Sequence, residues 1–377
     1  MKLNKIYNED CLKTMKRMDD NFIDCVITSP PYWGLRDYGV DGQLGLEKTP
    51  EEYVQKMVQI FQEVRRVLKK EGTLWLNLGD SYGSGFSISD NKYKAMTGGE
   101  PDIKLTTNLK PKDMVGIPWR VAFALQADGW WLRSDIIWNK PNPMPESVTD
   151  RPTKAHEYIF LMSKSANYYY DANAIREDGP TYTRKAGGYE NHKDQMIDGY
   201  SPFKGKGGFA DCDITTVGRN KRTVWTIPTQ PYPKAHFATY PEKLIEPCVL
   251  AGCPKEVCSK CGKAVERIVE SYIEGIPRNE KGLYAKMNGK DGTCHYLSKT
   301  NIHGTKTNKT IGFKPSCNCN AEFVPGVAYD PFGGAMTTAL VALRAERNFI
   351  CSEISPEYCE IGEKRIRPYL DQYKLKL

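Results

Sequence analysis

The sequence predicts an α/β fold built on a doubly wound, mostly parallel sheet, and three observations carry that expectation. Residues 22–28 (Phe-Ile-Asp-Cys-Val-Ile-Thr) form a short apolar run, rich in β-branched side chains, that stops just before Pro30-Pro31. Val327-Ala328-Tyr329-Asp330 is a second such run, followed by a glycine-bearing turn and the helical stretch Ala339-Leu340-Val341-Ala342-Leu343-Arg344. Between them, candidate strands alternate with candidate helices, the pattern of a sheet covered on both faces. Ligands of such sheets lie at the carboxyl ends of the strands, and both turns fall there.

Taken in chain order, Thr49-Pro50-Glu51-Glu52 is a capping box with proline at the first helical position. Tyr53, Met57, Ile60, Phe61, Val64, Val67 and Leu68 mark one apolar face of the helix that follows, and Gly72 is expected to end it. Residues 73–78 are the next strand. Residues 79–112, rich in Gly, Ser, Lys and Asn, read as a loop. A helix is expected over 114–127, with strands over 130–138 and 157–162. Thr239-Tyr240-Pro241-Glu242 reads as a second capping box, and the apolar face of Leu244, Ile245, Val249 and Leu250 behind it makes Cys248 a core residue. Residues 348–353 form a strand ending in Glu353, and Ser355-Pro356-Glu357 opens a last helix.

The two turns carry the chemistry. Pro30 and Pro31 fix φ near about −65°, and Ser29, standing before a proline, is pushed toward an extended conformation. The result is a rigid loop presenting a hydroxyl, a carbonyl that no helix uses and two aromatic faces, Tyr32 and Trp33. It suits a flat polar ring with an exocyclic amine. Pro331-Phe332-Gly333-Gly334 lets a ligand approach the backbone, and the helix start behind it offers free N–H groups to a carboxylate. An acid at the end of the next strand, Glu353, is placed to accept bonds from ribose hydroxyls.

Together these residues resemble the β-class DNA amino-methyltransferases, which methylate cytosine-N4 or adenine-N6 with S-adenosylmethionine and in which the catalytic motif precedes the cofactor motif. Ser29-Pro30-Pro31-Tyr32 is similar to their motif IV, Asp330-Pro331-Phe332-x-Gly334 to motif I and Glu353 to the motif II acid. Asn8-Glu9-Asp10-Cys11-Leu12 is similar to the N-terminal turn that contacts the cofactor adenine, and the stretch from His236 through Phe237 and Ala238 to Glu242 to motif X, which closes over the cofactor. The resemblance covers residues 1–175, 223–253 and 327–377. It implies a Rossmann-like methyltransferase fold with permuted motif order, catalysis by Ser29, Pro30, Pro31 and Tyr32, and a cofactor site of Asp10, Phe237, Ala238, Asp330, Pro331, Phe332, Gly334, Thr337, Thr338 and Glu353. One departure stands out. The family reads Gly-Ser-Gly-Thr-Thr where this chain reads Gly334-Ala335-Met336-Thr337-Thr338. If position 336 requires positive φ, methionine is strained there by about 1 kcal/mol or more.

Composition agrees. The 377 residues, 40% of them hydrophobic, suffice for one large α/β domain with insertions. No run of 18 apolar residues is present, so no membrane span is expected. The net charge of +7 permits a polyanionic partner, double-stranded DNA in this reading. Nothing points to an obligate protein partner. Twelve cysteines behind an amino terminus unlike a signal peptide suggest a reducing compartment, where thiols stay free or bind metal; the resemblance implies the cytoplasm of a bacterial, archaeal or phage-infected cell.

Two segments break the α/β pattern. Residues 176–222 have few aliphatic side chains, and in the family this position holds the target-recognition region. Arg184, Lys185, Lys204, Lys206, Arg219, Lys221 and Arg222 are its candidate contacts to phosphates and base edges. Residues 254–326 contain Cys258-Ser259-Lys260-Cys261-Gly262-Lys263, a zinc-knuckle half-site, and Cys317-Asn318-Cys319, which supplies two further thiolates. Cys253, Cys294 and His295 are rival ligands. The expectation is a zinc-ribbon-like insertion holding one structural Zn2+ on Cys258, Cys261, Cys317 and Cys319. The division expected is therefore 1–175 (catalytic half), 176–222 (target recognition), 223–253 with 327–377 (cofactor half) and 254–326 (zinc insertion).

Serine rather than aspartate at position 29 favours cytosine-N4 over adenine-N6 within the family resemblance. A reading of another class also exists: a zinc-containing DNA-binding protein whose cofactor site has degenerated, as Met336 would allow.

Overall fold

The structure, a computed structural model, describes residues 1–35, 39–40, 42–83, 109–177, 181–184, 212–215, 219–230, 239–274 and 304–374. The chain divides into two compact units: residues 1–175, 222–265 and 315–377 form the first, residues 176–221 and 266–314 the second.

The first unit is built on an eight-stranded sheet of β1 (Lys5–Asn8), β14 (Asn348–Glu353), β13 (Val327–Asp330), β2 (Ile23–Thr28), β3 (Leu68–Leu78), β5 (His156–Ser163), β4 (Trp131–Asn139) and β8 (Val224–Thr226), in that spatial order. All strands run one way except β5, which is antiparallel to both neighbours. Helices α1 (Cys11–Lys16), α2 (Pro50–Val67) and α3 (Ile117–Ala127) cover one face, and α4 (Glu242–Gly252), α5 (Thr337–Arg344) and α6 (Pro356–Lys374) the other. Successive strand residues point to opposite faces. Tyr329 and Ile350 pack under the first helix layer, while Ala328, Phe349 and Cys351 pack under the second. This is the expected doubly wound α/β fold.

The carboxyl ends of β1, β14, β13, β2, β3 and β4 share one edge with the start of β5, where Tyr158 pairs with Leu78 and His156 with Asn139. That edge gathers Asp10, Glu353, Asp330, Ser29, Gly79, Lys140 and Glu157.

Several local expectations change. The Thr49 cap forms, its hydroxyl accepting from Glu52 N at 3.1 Å while Glu52 accepts from Lys48 N at 3.1 Å. Gly72 does not end the helix: α2 stops at Val67, Leu68 turns extended (φ −71°, ψ 135°) and Gly72 lies inside β3. Its role is close approach, since a Cβ there would stand 2.6 Å from a Leu68 methyl and 2.9 Å from the Asp24 carbonyl. The helix expected from 114 begins at Ile117, after Gly116 in the left-handed region (φ 78°). The second capping box does not form, and Pro241 precedes α4 without a side-chain cap. The Glu242 carboxylate is instead held by Arg344 and Arg365. Cys248 is fully buried, as expected.

The second unit contains a four-stranded sheet of β10 (Glu266–Glu274), β11 (Gly304–Lys314), β7 (Cys212–Thr215) and β6 (Thr181–Arg184). β11 runs parallel to β7, with Gly304 opposite Ile214. Two segments that read as separate insertions thus contribute strands to one sheet. Pairing across some ninety residues leaves no local trace in the sequence.

Candidate active site and thiolate cluster

The catalytic-motif loop and the glycine-bearing turn meet at adjacent strands. Thr28 Oγ1 donates to Asp330 Oδ1 at 2.6 Å, Tyr240 Oη donates to Asp330 Oδ2 at 2.8 Å and Thr338 Oγ1 donates to the same oxygen at 2.7 Å. Phe332 N donates to Asp330 Oδ1 at 3.1 Å. Asp330 is fully buried, and desolvation raises its pKa. Its carboxylate therefore works inside the protein, tying the end of β2 to the turn after β13. The Thr338 hydroxyl is committed likewise, and Thr337 Oγ1 accepts from Arg365 at 3.0 Å.

Glu353 performs a second tie. Its Oε2 accepts from Gly334 N at 2.7 Å and its Oε1 from Ser355 N at 2.8 Å, with burial raising its pKa. Gly334 has φ +49°, and Met336 sits at φ 59°, ψ 37°, so the position that departs from the family pattern does adopt the left-handed conformation. Met336 is fully buried. Asp10 caps α1, its Oδ1 accepting from Leu12 N at 2.8 Å. Phe237 and Ala238 lie outside the described residues.

In the other turn, Ser29 and Pro31 are half-buried and Pro30 buried. Tyr53 Oη donates to the Pro31 carbonyl at 2.9 Å, and among the described residues none donates to the Pro30 carbonyl. Tyr32 lies over Gly79, where a Cβ would stand 2.5 Å from the ring. Its hydroxyl is within reach of Ser29 Oγ (3.3 Å), Asn77 Oδ1 (3.1 Å) and Glu157 Oε2 (2.7 Å). Burial first, then the Glu157 charge, raises the Tyr32 pKa well above its ordinary value. Glu157 also pairs with Lys140, whose ammonium lies 4.3 Å from the centre of the Trp138 ring. Asn77 and Glu157 carry no motif signal. Asn77 reaches Tyr32 because β3 pairs parallel with β2, and Glu157 because β5 pairs antiparallel with β3.

The four cysteines read as metal ligands converge. Their sulfur atoms all lie within 4.8 Å of one another. Antiparallel pairing of β9 (Glu256–Cys258) with β12 (Phe323–Pro325) sets Phe323 opposite Cys258. Gly262 (φ 73°) allows its N–H to reach the Cys258 carbonyl at 2.8 Å. Backbone N–H groups of Cys261 and Lys260 pull the Cys258 thiol down to about 6, while its crowded neighbours Cys317 and Cys319 are pushed up. Four convergent thiols, one favoured as thiolate, fit a tetrahedral zinc site. Cys253 is buried in the core, and Cys294 and His295 lie outside the described residues.

Of the candidate DNA contacts, Lys185, Lys204 and Lys206 lie outside the described residues, and Arg184 ends β6, paired with Cys212 of β7. Arg219 and Lys221 both face Glu177, at 3.1 and 3.9 Å. The Arg222 carbonyl accepts from Trp225 Nε1 at 2.7 Å.

The carboxyl edge of a doubly wound sheet thus brings the Ser-Pro-Pro-Tyr loop beside the glycine-bearing turn and its terminal acid. Residues 23–259 and 324–364 match the DNA methylase (N6_N4_Mtase) family model. The Type II methyltransferase M.Cfr9I of Citrobacter freundii is 46% identical over 250 residues, 65% of this chain and 71% of the relative. M.SmaI of Serratia marcescens is 47% identical over 253 residues, 66% of this chain and 75% of the relative. Among solved structures, PvuII DNA methyltransferase (cytosine-N4-specific) aligns with a TM-score of 0.53 at 16% identity, covering 98% of this chain and 91% of that one, which shows the fold. The chain belongs to the DNA methylase family, the S-adenosylmethionine-dependent amino-methyltransferases of DNA. Among the described residues, no helix is long and apolar enough to cross a membrane.

Proposed function

We propose that this chain methylates the exocyclic N4 of cytosine in double-stranded DNA, as the modifying member of a cytoplasmic restriction–modification pair. The observation that supports the reading is the Thr28–Asp330 bond, which joins the start of the Ser29 loop to the turn after β13. The names of its Type II relatives support the biological setting.

An exocyclic amine is a poor nucleophile because its lone pair is delocalised into the ring. Ser29 Oγ and the Pro30 carbonyl act as two acceptors that hold its hydrogens and favour a pyramidal nitrogen. Tyr32 supplies an aromatic wall for a base that must leave the duplex to reach a half-buried serine. When bound, S-adenosylmethionine supplies an electrophilic methyl on a sulfonium. The amine lone pair would form the C–N bond as the C–S pair leaves with sulfur, and the amine proton would pass to solvent water. The residues around the donor fit it. The Gly333-Gly334 backbone, Asp10 and Glu353 would frame it, and Pro331 and Phe332 would line it. Asp330, Thr337 and Thr338 shape the turn from within, and the family resemblance assigns Phe237 and Ala238 to the same cofactor site. Arg184, Lys185, Lys204, Lys206, Arg219, Lys221 and Arg222 are the DNA contacts in this reading, with Arg219 and Lys221 exchanging Glu177 for phosphate. Zinc on Cys258, Cys261, Cys317 and Cys319 organises the insertion and takes no part in the chemistry.

Nucleoside mass spectrometry of DNA from cells expressing the chain tests the reading. N4-methylcytosine is expected, and Ser29→Ala should lower its rate of formation by on the order of a hundredfold. N6-methyladenine would overturn the choice of base. Neither product, with no S-adenosylmethionine binding by calorimetry, would leave a zinc-containing DNA-binding protein.

A further inference from the structure

We propose that Glu157 is a positioning residue that acts through Tyr32 to turn the lone pairs of Ser29, rather than its proton, toward the target amine; the proposal rests on the reading of Ser29 given above. A serine hydroxyl can donate or accept, and only the accepting orientation helps an amine that must give up its hydrogens. The direction is set by what lies behind it. Glu157, as a carboxylate, can only accept, and its second oxygen holds Lys140. Asn77 Nδ2 donates to the Tyr158 carbonyl at 3.0 Å, which leaves Asn77 Oδ1, another acceptor, facing Tyr32.

The Tyr32 hydroxyl therefore meets two acceptors with one proton. The 2.7 Å bond to the charged group is the stronger. With its proton committed, Tyr32 can only accept from Ser29, at 3.3 Å. Such bonds are often long in the free enzyme and tighten in the substrate complex. The Ser29 proton is then spent on Tyr32, and its lone pairs remain for the amine. The arrangement is rigid at both ends. Gly79 admits the Tyr32 ring, and the pairing of Tyr158 with Leu78 puts Glu157 at the active edge of the sheet. Lys140 pairs with the carboxylate, and the Glu157 charge also reaches Lys154 and His156, raising the pKa of each against the lowering effect of burial.

The test is a double-mutant cycle on methyl transfer by the full chain to duplex DNA. Glu157→Gln keeps the shape but offers an N–H to Tyr32, letting the chain of bonds reverse. Its kcat should fall by on the order of tenfold or more while KM for DNA and S-adenosylmethionine stays within about twofold. Ser29→Ala combined with Glu157→Gln should be no slower than Ser29→Ala alone. Wild-type kcat in Glu157→Gln, or an undiminished Glu157 effect in the Ser29→Ala background, overturns the proposal. Near-wild-type turnover by Ser29→Ala would instead overturn the assignment of Ser29 itself. If Glu157→Gln does not fold, as judged by its melting temperature, Tyr32→Phe serves in its place. It keeps the ring and breaks the relay, and should show the same kcat loss and the same non-additivity with Ser29→Ala; additive losses would again overturn the proposal.

Discussion

Thr28 and Asp330, 302 residues apart in the chain, are joined by a buried 2.6 Å hydrogen bond. The bond ties the last residue of β2 to the last residue of β13. Since β2 and β13 are neighbours in the sheet, it fixes where the Ser-Pro-Pro-Tyr loop begins relative to the glycine-bearing turn. A displacement of about 1 Å between donor and acceptor groups can cost on the order of a hundredfold in rate. Tyr240 and Thr338 brace the same carboxylate.

Holding that carboxylate in the core has a pH signature. Burial raises the Asp330 pKa above its ordinary value of 3.8. An acid whose folded pKa exceeds its unfolded one holds its proton more tightly when folded. Its stabilising contribution is fully present below the unfolded value and is lost as the pH rises through the folded one. Asp330→Asn removes that loss. The melting temperature of Asp330→Asn relative to wild type should therefore improve as the pH rises from the ordinary carboxylate range toward neutrality. Asp330 also helps raise the Glu353 pKa, so the coupled effect has the same sign. Parallel melting curves for the two proteins across this range would contradict the argument.

Met336 sets two effects against each other. Its left-handed conformation costs roughly 1–2 kcal/mol for a residue with a Cβ. Yet its side chain fills a slot left by two glycines: a Cβ on Gly333 would stand 2.8 Å from Met336 Sδ, and one on Gly362 only 2.2 Å from Met336 Cγ. Truncating a buried methionine costs roughly 2–5 kcal/mol, so packing outweighs strain. Met336→Gly should lower the stability measured by urea denaturation, although it restores the glycine of the family pattern. Gly362→Ala should be strongly destabilising in the wild type and far less so in Met336→Gly. A more stable Met336→Gly would show that strain dominates.

What was legible in the sequence was local. Ser29-Pro30-Pro31-Tyr32 and Asp330-Pro331-Phe332-x-Gly334 declare their turns because proline and glycine restrict or free the backbone residue by residue. The strands on either side declare themselves by apolar runs. Gly72 was misread because a glycine after a helical face looks the same whether it caps the helix or admits a neighbouring strand. The Thr239 cap was misread because Arg344 and Arg365, over a hundred residues away, take the Glu242 carboxylate. Glu157 and Asn77 were invisible for the same reason: strand pairing alone brings them to Tyr32. The joining of β7 to β11 was hidden by its sequence separation.

The thiolate cluster gives the last prediction. The two cysteine pairs meet because β9 and β12 pair antiparallel, and the second unit's strands β10 and β11 leave after Val265 and return before Pro315. The cluster therefore closes the root of that excursion. Four thiols within 4.8 Å of one another would repel as thiolates without a cation. Purified, reduced protein should hold about one zinc per chain, with sulfur ligands at roughly 2.3 Å by X-ray absorption. Cys258→Ser or Cys317→Ser should release the metal, because an incomplete tetrahedron holds it poorly. The large sheet should survive, since its core lies between helix layers that do not depend on the cluster. DNA affinity should then fall more than S-adenosylmethionine affinity, because the root of β10 and the lysine-bearing β11 is loosened while the turn at Gly334 is untouched. Zinc-free protein that binds DNA as tightly as metal-loaded protein would remove this organising role, and ligation through Cys294 or His295 would revise only the identity of the ligands.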